Sequence, residues 1–130
     1  MRKYIFSVVA IVWTIAITVL SLIQIKGPQA FHFSYADKVM HIIIYCSLTL
    51  TWFFAFSRGI TNEFLQKNAL MASAVVCFIY GIAVEVMQET LVTTRQGDWQ
   101  DALANTIGII LAIFIIKWFI AKYIKLKTHN

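Results

Sequence analysis

Four apolar stretches, each about as long as a bilayer crossing, constrain this 130-residue chain more than any other feature. A helix rises about 1.5 Å per residue and the hydrocarbon core is about 30 Å thick, so about 20 apolar residues span it. The stretches cover about residues 4–25, 38–57, 68–92 and 101–121. They lack the inside/outside alternation of barrel strands, which need only about 9–11 residues. Apolar residues make up 60% of the chain and charged ones 13%, where a soluble domain carries about 25% charged residues. A water-soluble globule and a disordered chain are both excluded. The expected fold is all-α, a single four-transmembrane-helix bundle over residues 1–130.

Details of the runs support this reading. Arg2 and Lys3 precede the first run, as in a secretory signal, but the run is longer than a signal's apolar region and no A-x-A cleavage site follows. It is read as a retained span. Thr61-Asn62-Glu63 makes a helix N-cap sequence ahead of the third run. Lys117 interrupts the fourth run close enough to its end to snorkel to the interface. Cys46 and Cys77 lie inside apolar runs and form no zinc or disulfide spacing.

The net charge is +5, and the basic residues flank the spans. That is where membrane topology places them, so no nucleic-acid partner is implied. With the N-terminus inside, the inner face holds Arg2, Lys3, Arg58, Lys67, Lys117, Lys122, Lys125 and Lys127 against Glu63 alone. The outer face holds Lys26, Lys38 and Arg95 against Asp37, Glu85, Glu89, Asp98 and Asp101. Both termini are therefore expected in the cytoplasm, with loop 26–36 outside and its Phe31, Phe33 and Tyr35 at headgroup level.

A charged side chain inside a span costs about 2.5–3.5 kcal/mol on insertion scales, so those retained there are paired, hydrated or functional. Here they gather at the outer ends of three helices. Asp37, His41 and Tyr45 step by four along one face, with Lys38 beside them. Gly81, Glu85, Gln88 and Glu89 share a face of the third span, and Asp98, Asp101, Asn105 and Gly108 a face of the fourth. Glu85 is placed about 10 Å below the outer boundary, from seven residues at about 1.5 Å each. Three separate segments thus put polar groups into one slab of the outer leaflet.

Bland readings exist for several of these residues. Asp98 and Asp101 suit a helix start, where the dipole favours acids. Gln88 and Asn105 are good interhelical hydrogen-bonding residues. His41, Glu85, Asp98 and Asp101 offer hard metal ligands, but no H-E-x-x-H spacing is present, and neither a metal nor a cofactor is expected.

The pattern Asp37-Lys38-x-x-His41-x-x-x-Tyr45, then Tyr80-Gly81-x-x-x-Glu85-x-x-Gln88, then Arg95-x-x-Asp98-x-x-Asp101-x-x-x-Asn105-x-x-Gly108 resembles the VanZ-like family of small membrane proteins. The resemblance covers the second to fourth spans. It implies a multi-pass protein of the bacterial cytoplasmic membrane and a link to the cell envelope and teicoplanin-type glycopeptide resistance. It implies no settled reaction.

The residues themselves support a pocket for an amphiphile whose headgroup lies in the outer leaflet. Candidate partners are a membrane lipid or an undecaprenyl-linked wall precursor. Candidate binding residues are Asp37, Lys38, Tyr45, Gln88, Arg95, Asp98 and Asn105, with Lys38 and Arg95 suited to phosphate or carboxylate. His41, Glu85 and Asp101 are the candidate catalytic groups of an alternative, an intramembrane acid/base enzyme acting on a lipid-linked substrate. A third reading makes the cluster interhelical glue. The topology makes a direct prediction. A tag at either terminus becomes accessible only after the cell membrane is permeabilised, and one inserted in loop 26–36 is accessible on intact cells; the reverse pattern overturns the orientation.

Overall fold

A computed structural model describes residues 2–23, 34–91 and 99–129. Its helices are α1 (Arg2–Leu22), α2 (Ser34–Phe54), the five-residue α3 (Glu63–Lys67), α4 (Ala69–Leu91) and α5 (Trp99–Thr128). A π-helical turn, Ala55–Gly59, ends α2. No strand occurs among the described residues, and four helices are long and apolar enough to cross a membrane. The helical bundle expected from the apolar runs is the observed fold.

The boundaries reflect local chemistry. Asp37 lies in the first turn of α2 and Asp101 in that of α5, where the exposed N–H groups favour a carboxylate. The last turn of α5 carries Lys125 and Lys127, the complementary charge for a helix C-terminus. That helix continues to Thr128, past the apolar run that ends near residue 121. Asn62 caps α3, its side chain accepting from the Leu65 N–H at 3.1 Å. The cap sequence therefore starts a separate short helix. Asn68 leaves helical geometry at φ −107° and ψ 24°, which separates α3 from α4.

Interhelical hydrogen bonds fix how the spans run. Trp13 Nε1 donates to Ser47 Oγ at 3.1 Å, Trp52 Nε1 to Thr14 Oγ1 at 3.1 Å, and Ser7 Oγ to the Gly59 carbonyl at 3.1 Å. From Ser7 to Trp13 on α1, the partner number falls from Gly59 to Ser47, so α1 and α2 are antiparallel. The Thr18 and Tyr80 hydroxyls pair at 2.7 Å, and Gln88 Nε2 donates to the Ser21 carbonyl at 3.0 Å, so α1 and α4 run parallel. Contacts between α2 and α5 keep a near-constant offset, 63 residues at Lys38–Asp101 and 64 at His41–Asn105, which makes that pair parallel too. The result is an up-down-up-down bundle.

The core is thin. Tyr45, Leu48, Cys77, Ile17 and Ile109 form its buried cluster. Between 11% and 33% of each span's residues are buried, which leaves side chains such as Ile79, Leu111 and Phe114 uncovered. In water that surface would aggregate; in a bilayer it meets acyl chains. Cohesion then rests on close packing and on the interhelical bonds, worth on average about 0.6 kcal/mol each in lipid.

The tightest glycine contact between two spans is at Gly108. A Cβ built there would lie 2.4 Å from the Ile42 carbonyl oxygen and 3.1 Å from the Cys46 backbone nitrogen, both on α2. Gly81 is less confined, since its Cβ would meet the Tyr45 ring at 3.0 Å. Gly108→Ala must therefore push two backbones apart, at a cost of about 1–3 kcal/mol that outweighs the alanine's better helix propensity. Gly81→Ala asks only a ring to shift. Thermal unfolding in detergent micelles, monitored by circular dichroism, should show the larger loss for Gly108→Ala; equal stability of that variant and the wild type would refute the packing argument.

Candidate functional site

The register that Gly108 sets brings five polar residues of α2 and α5 together. The Lys38 ammonium pairs with Asp101 Oδ1, and both side chains are largely removed from solvent. His41 Nδ1–H donates to Asn105 Oδ1 at 2.8 Å. That bond assigns the Nδ1 proton and turns Nε2 toward two carboxylates, Asp101 Oδ2 at 3.8 Å and Asp37 Oδ1 at 4.0 Å. A neutral imidazole offers a lone pair there, and a protonated one a second N–H.

Burial grades along the site. Asp37 and Lys38 are half-buried, Asp101 is buried at 7% exposure, and Asn105 at 3%. The site is thus open at the helix N-termini and closes inward over about one turn. Two parallel helices begin here, so their positive ends face the same space that Asp37 and Asp101 occupy.

Tyr45 lies one turn further inward on α2, buried, with its ring against Gly81. Its hydroxyl has no hydrogen-bond partner among the described residues, and neither does Asn105 Nδ2. Glu85 is half-buried on α4. Gln88 sits apart from the cluster, because its amide is held by the Ser21 carbonyl of α1. Glu89 is exposed. Arg95 and Asp98 lie outside the described residues, as do Phe31 and Phe33. Tyr35 is 84% exposed.

Asp37, His41 and Asp101 each place a ligand atom within 4.8 Å of the others, a geometry compatible with a cation. The Lys38 ammonium already supplies positive charge to that group through Asp101. Of the hard ligands noted in the sequence, His41 and Asp101 belong to this compact group, Glu85 does not, and Asp98 lies outside the described residues.

The contribution of α1 was the part missed from the sequence, where it is a generic span. Ser7, Thr14, Thr18 and Ser21 face α2 and α4 and bind Gly59, Trp52, Tyr80 and Gln88. Their spacing of seven, four and three residues is a helix-face period, and that was the available signal. Through Tyr80 and Gln88, α1 holds the α4 wall behind the site.

Breaking a buried ion pair leaves an uncompensated charge, which costs about 3–5 kcal/mol, while removing both partners costs far less. Lys38→Met and Asp101→Leu should each lower the melting temperature in detergent more than the double variant does. Additive losses would mean that the two charges are solvated independently.

A sequence model of the VanZ/LLP1 family matches residues 3–120. No curated protein and no solved structure matches the chain. The match takes in α1 and every residue of the polar cluster, and the chain belongs to the VanZ/LLP1 family of membrane proteins.

Proposed function

We propose that the Asp37–Lys38–His41–Asp101 cluster is an outer-leaflet site for the headgroup of a membrane lipid or of an undecaprenyl-linked cell-envelope precursor. In this reading the protein lies in the bacterial cytoplasmic membrane with both termini inside. By occupying or shielding such a headgroup it contributes to teicoplanin-type glycopeptide resistance. The observation that carries the reading is the Lys38–Asp101 pair beside His41, at the shared N-terminal end of two parallel membrane-spanning helices. The Lys38 ammonium is held at that end by Asp101 Oδ1. An anionic headgroup arriving at that end meets the Lys38 ammonium, the helix N-termini and the His41 imidazole, beside the carboxylates of Asp37 and Asp101. The family and the four spans support membrane residence and the envelope link.

Charge-assisted hydrogen bonds are worth about 1.5–3 kcal/mol, or about 10- to 150-fold in affinity. Lys38→Gln should therefore weaken retention of phosphatidylglycerol over phosphatidylcholine by at least about tenfold. Native mass spectrometry of the detergent-purified chain, mixed with each lipid, measures this directly. Unchanged headgroup preference in Lys38→Gln would remove the basis for the site.

A second reading, an intramembrane acid/base enzyme, rests on one observation. His41 Nδ1 is held by Asn105, which leaves Nε2 as the proton-exchanging atom between two carboxylates. In this reading Asn105 orients the ring and the nearby Asp101 carboxylate stabilises the imidazolium electrostatically. Incubation with lipid-linked substrates should yield a product that His41→Ala fails to form while its helicity is retained. If wild-type protein leaves every candidate lipid chemically unchanged, the binding reading alone survives.

A further inference from the structure

At the end of the bundle that carries both termini, α2 and α5 leave a groove of about 540 Å³ between them. Leu50, Phe53 and Phe54 line one wall, and Ile116, Phe119 and Ile120 the other. Eight residues separate Leu50 from Arg58 on the first wall and Ile115 from Tyr123 on the second. The groove therefore runs about 12 Å along the bundle, most of one leaflet. Its three polar residues, Ser57, Arg58 and Tyr123, all lie at the terminal end. Hydrocarbon wall thus leads outward to a cation and two hydroxyls.

Arg58 is placed there by the π-helical turn it sits on. That turn buries Ala55 and Gly59. Ser7 Oγ of α1 donates to the Gly59 carbonyl at 3.1 Å, and a Cβ on Gly59 would lie 2.5 Å from the same Oγ. Phe54, at the groove wall, stacks on Phe6 of α1 with ring centroids 5.9 Å apart. One side of the turn is thus pinned to α1, and the other presents Ser57 and Arg58 to the groove. Ser57 is engaged with its own helix, its hydroxyl donating to the Phe54 carbonyl at 3.4 Å. Arg58 is exposed and pairs with no carboxylate among the described residues. Tyr123 is exposed beside it, as an interfacial phenol is.

We infer that this groove holds an anionic phospholipid of the leaflet on the side of the termini, with one acyl chain along its apolar walls and the phosphate on Arg58. Charge selects this occupant. Basic residues outnumber acids at this end by eight to one, the acid being Glu63. A second copy of the chain would bring the same excess and be repelled. A zwitterionic lipid sets its own ammonium beside the guanidinium. A soluble anion gains nothing from about 12 Å of hydrocarbon wall. A guanidinium offers paired N–H donors that match two phosphate oxygens, and basic pockets between spans take anionic headgroups. The site stands apart from the headgroup reading above, because Arg58 and the Lys38 cluster lie at opposite ends of α2. The α2–α5 pair then meets a lipid headgroup in each leaflet.

The test uses phosphatidylglycerol and phosphatidylcholine that carry the same diazirine-bearing acyl chain. The full chain is irradiated with each in mixed micelles, and the adducts are mapped by peptide mass spectrometry. In the wild type, adducts in residues 50–58 and 115–123 should form about fivefold more with phosphatidylglycerol, the effect of one basic residue at a membrane surface. Arg58→Gln should remove that preference with an unchanged melting temperature, and Arg58→Lys should retain it. Lys67→Gln, at the same end but outside the groove, should keep it. Ile120→Trp, which fills the groove, should lower the adducts of both lipids with helicity retained. Equal labelling of the groove by the two lipids in the wild type overturns the inference. So does a preference that Lys67→Gln loses as fully as Arg58→Gln, which would mean diffuse attraction to a basic surface. A groove that neither lipid labels, in a chain that is dimeric until Ile120→Trp separates it, overturns the inference in favour of a second copy.

Discussion

The contact of Gly108 with the α2 backbone governs how the polar site of this bundle is assembled. In lipid the solvent gives no hydrophobic drive for helices to associate, so they hold where their backbones can come close. The absence of a side chain at Gly108 allows that closeness and fixes the relative height of α2 and α5. A slip of one residue would rotate Asp101 and Asn105 by about 100° away from Lys38 and His41. The ion pair and the histidine bond in turn lock the register, since an unpaired charge at this position is costly. Packing and polar pairing thus enforce each other.

The two ends of the α2–α5 pair serve different purposes. Toward the helix N-termini it holds the carboxylates, the ammonium and the imidazole, with burial deepening inward from Asp37 to Asn105. Beyond Tyr45 the contacts turn apolar, through Leu48 and Ile109. The π-helical turn Ala55–Gly59 then meets α1 through Ser7. A graded polar site above a dry base suits a ligand that is itself polar at one end. The bundle therefore need not open a path from one face of the membrane to the other.

Asn105 ties the two helices together at the site through its bond to His41. Its amide has an acceptor and a donor end, and in a dry interior each needs its own partner. The acceptor end meets His41, while the donor end is buried without a partner among the described residues. Leucine or alanine at this position would pack but would leave the His41 tautomer undetermined. Gly81 packs against the same amide and the Tyr45 ring, since a Cβ there would come within 3.0 Å of the Tyr45 ring and 3.5 Å of Asn105 Nδ2.

How much of this is legible before folding depends on the range of the forces involved. The spans come from run length against bilayer thickness, and Asp37, His41 and Tyr45 share a face because a helix repeats every 3.6 residues. Such local facts, together with the ordered motifs of three spans, were sufficient for the helical bundle and the family. Pairing between spans is not local. Lys38 chose Asp101, 63 positions along the chain, Gln88 turned to Ser21 and away from the cluster, and side chains of α1 proved to tie the bundle together. Asp37 was already legible as a neighbour of His41, one turn away on the same helix, whereas only the packed helices add Asp101 as its second carboxylate. Composition and periodicity determine which face of each helix is polar. Which faces meet, and at what height, is decided by where two backbones can touch, and that is a property of the assembled bundle alone.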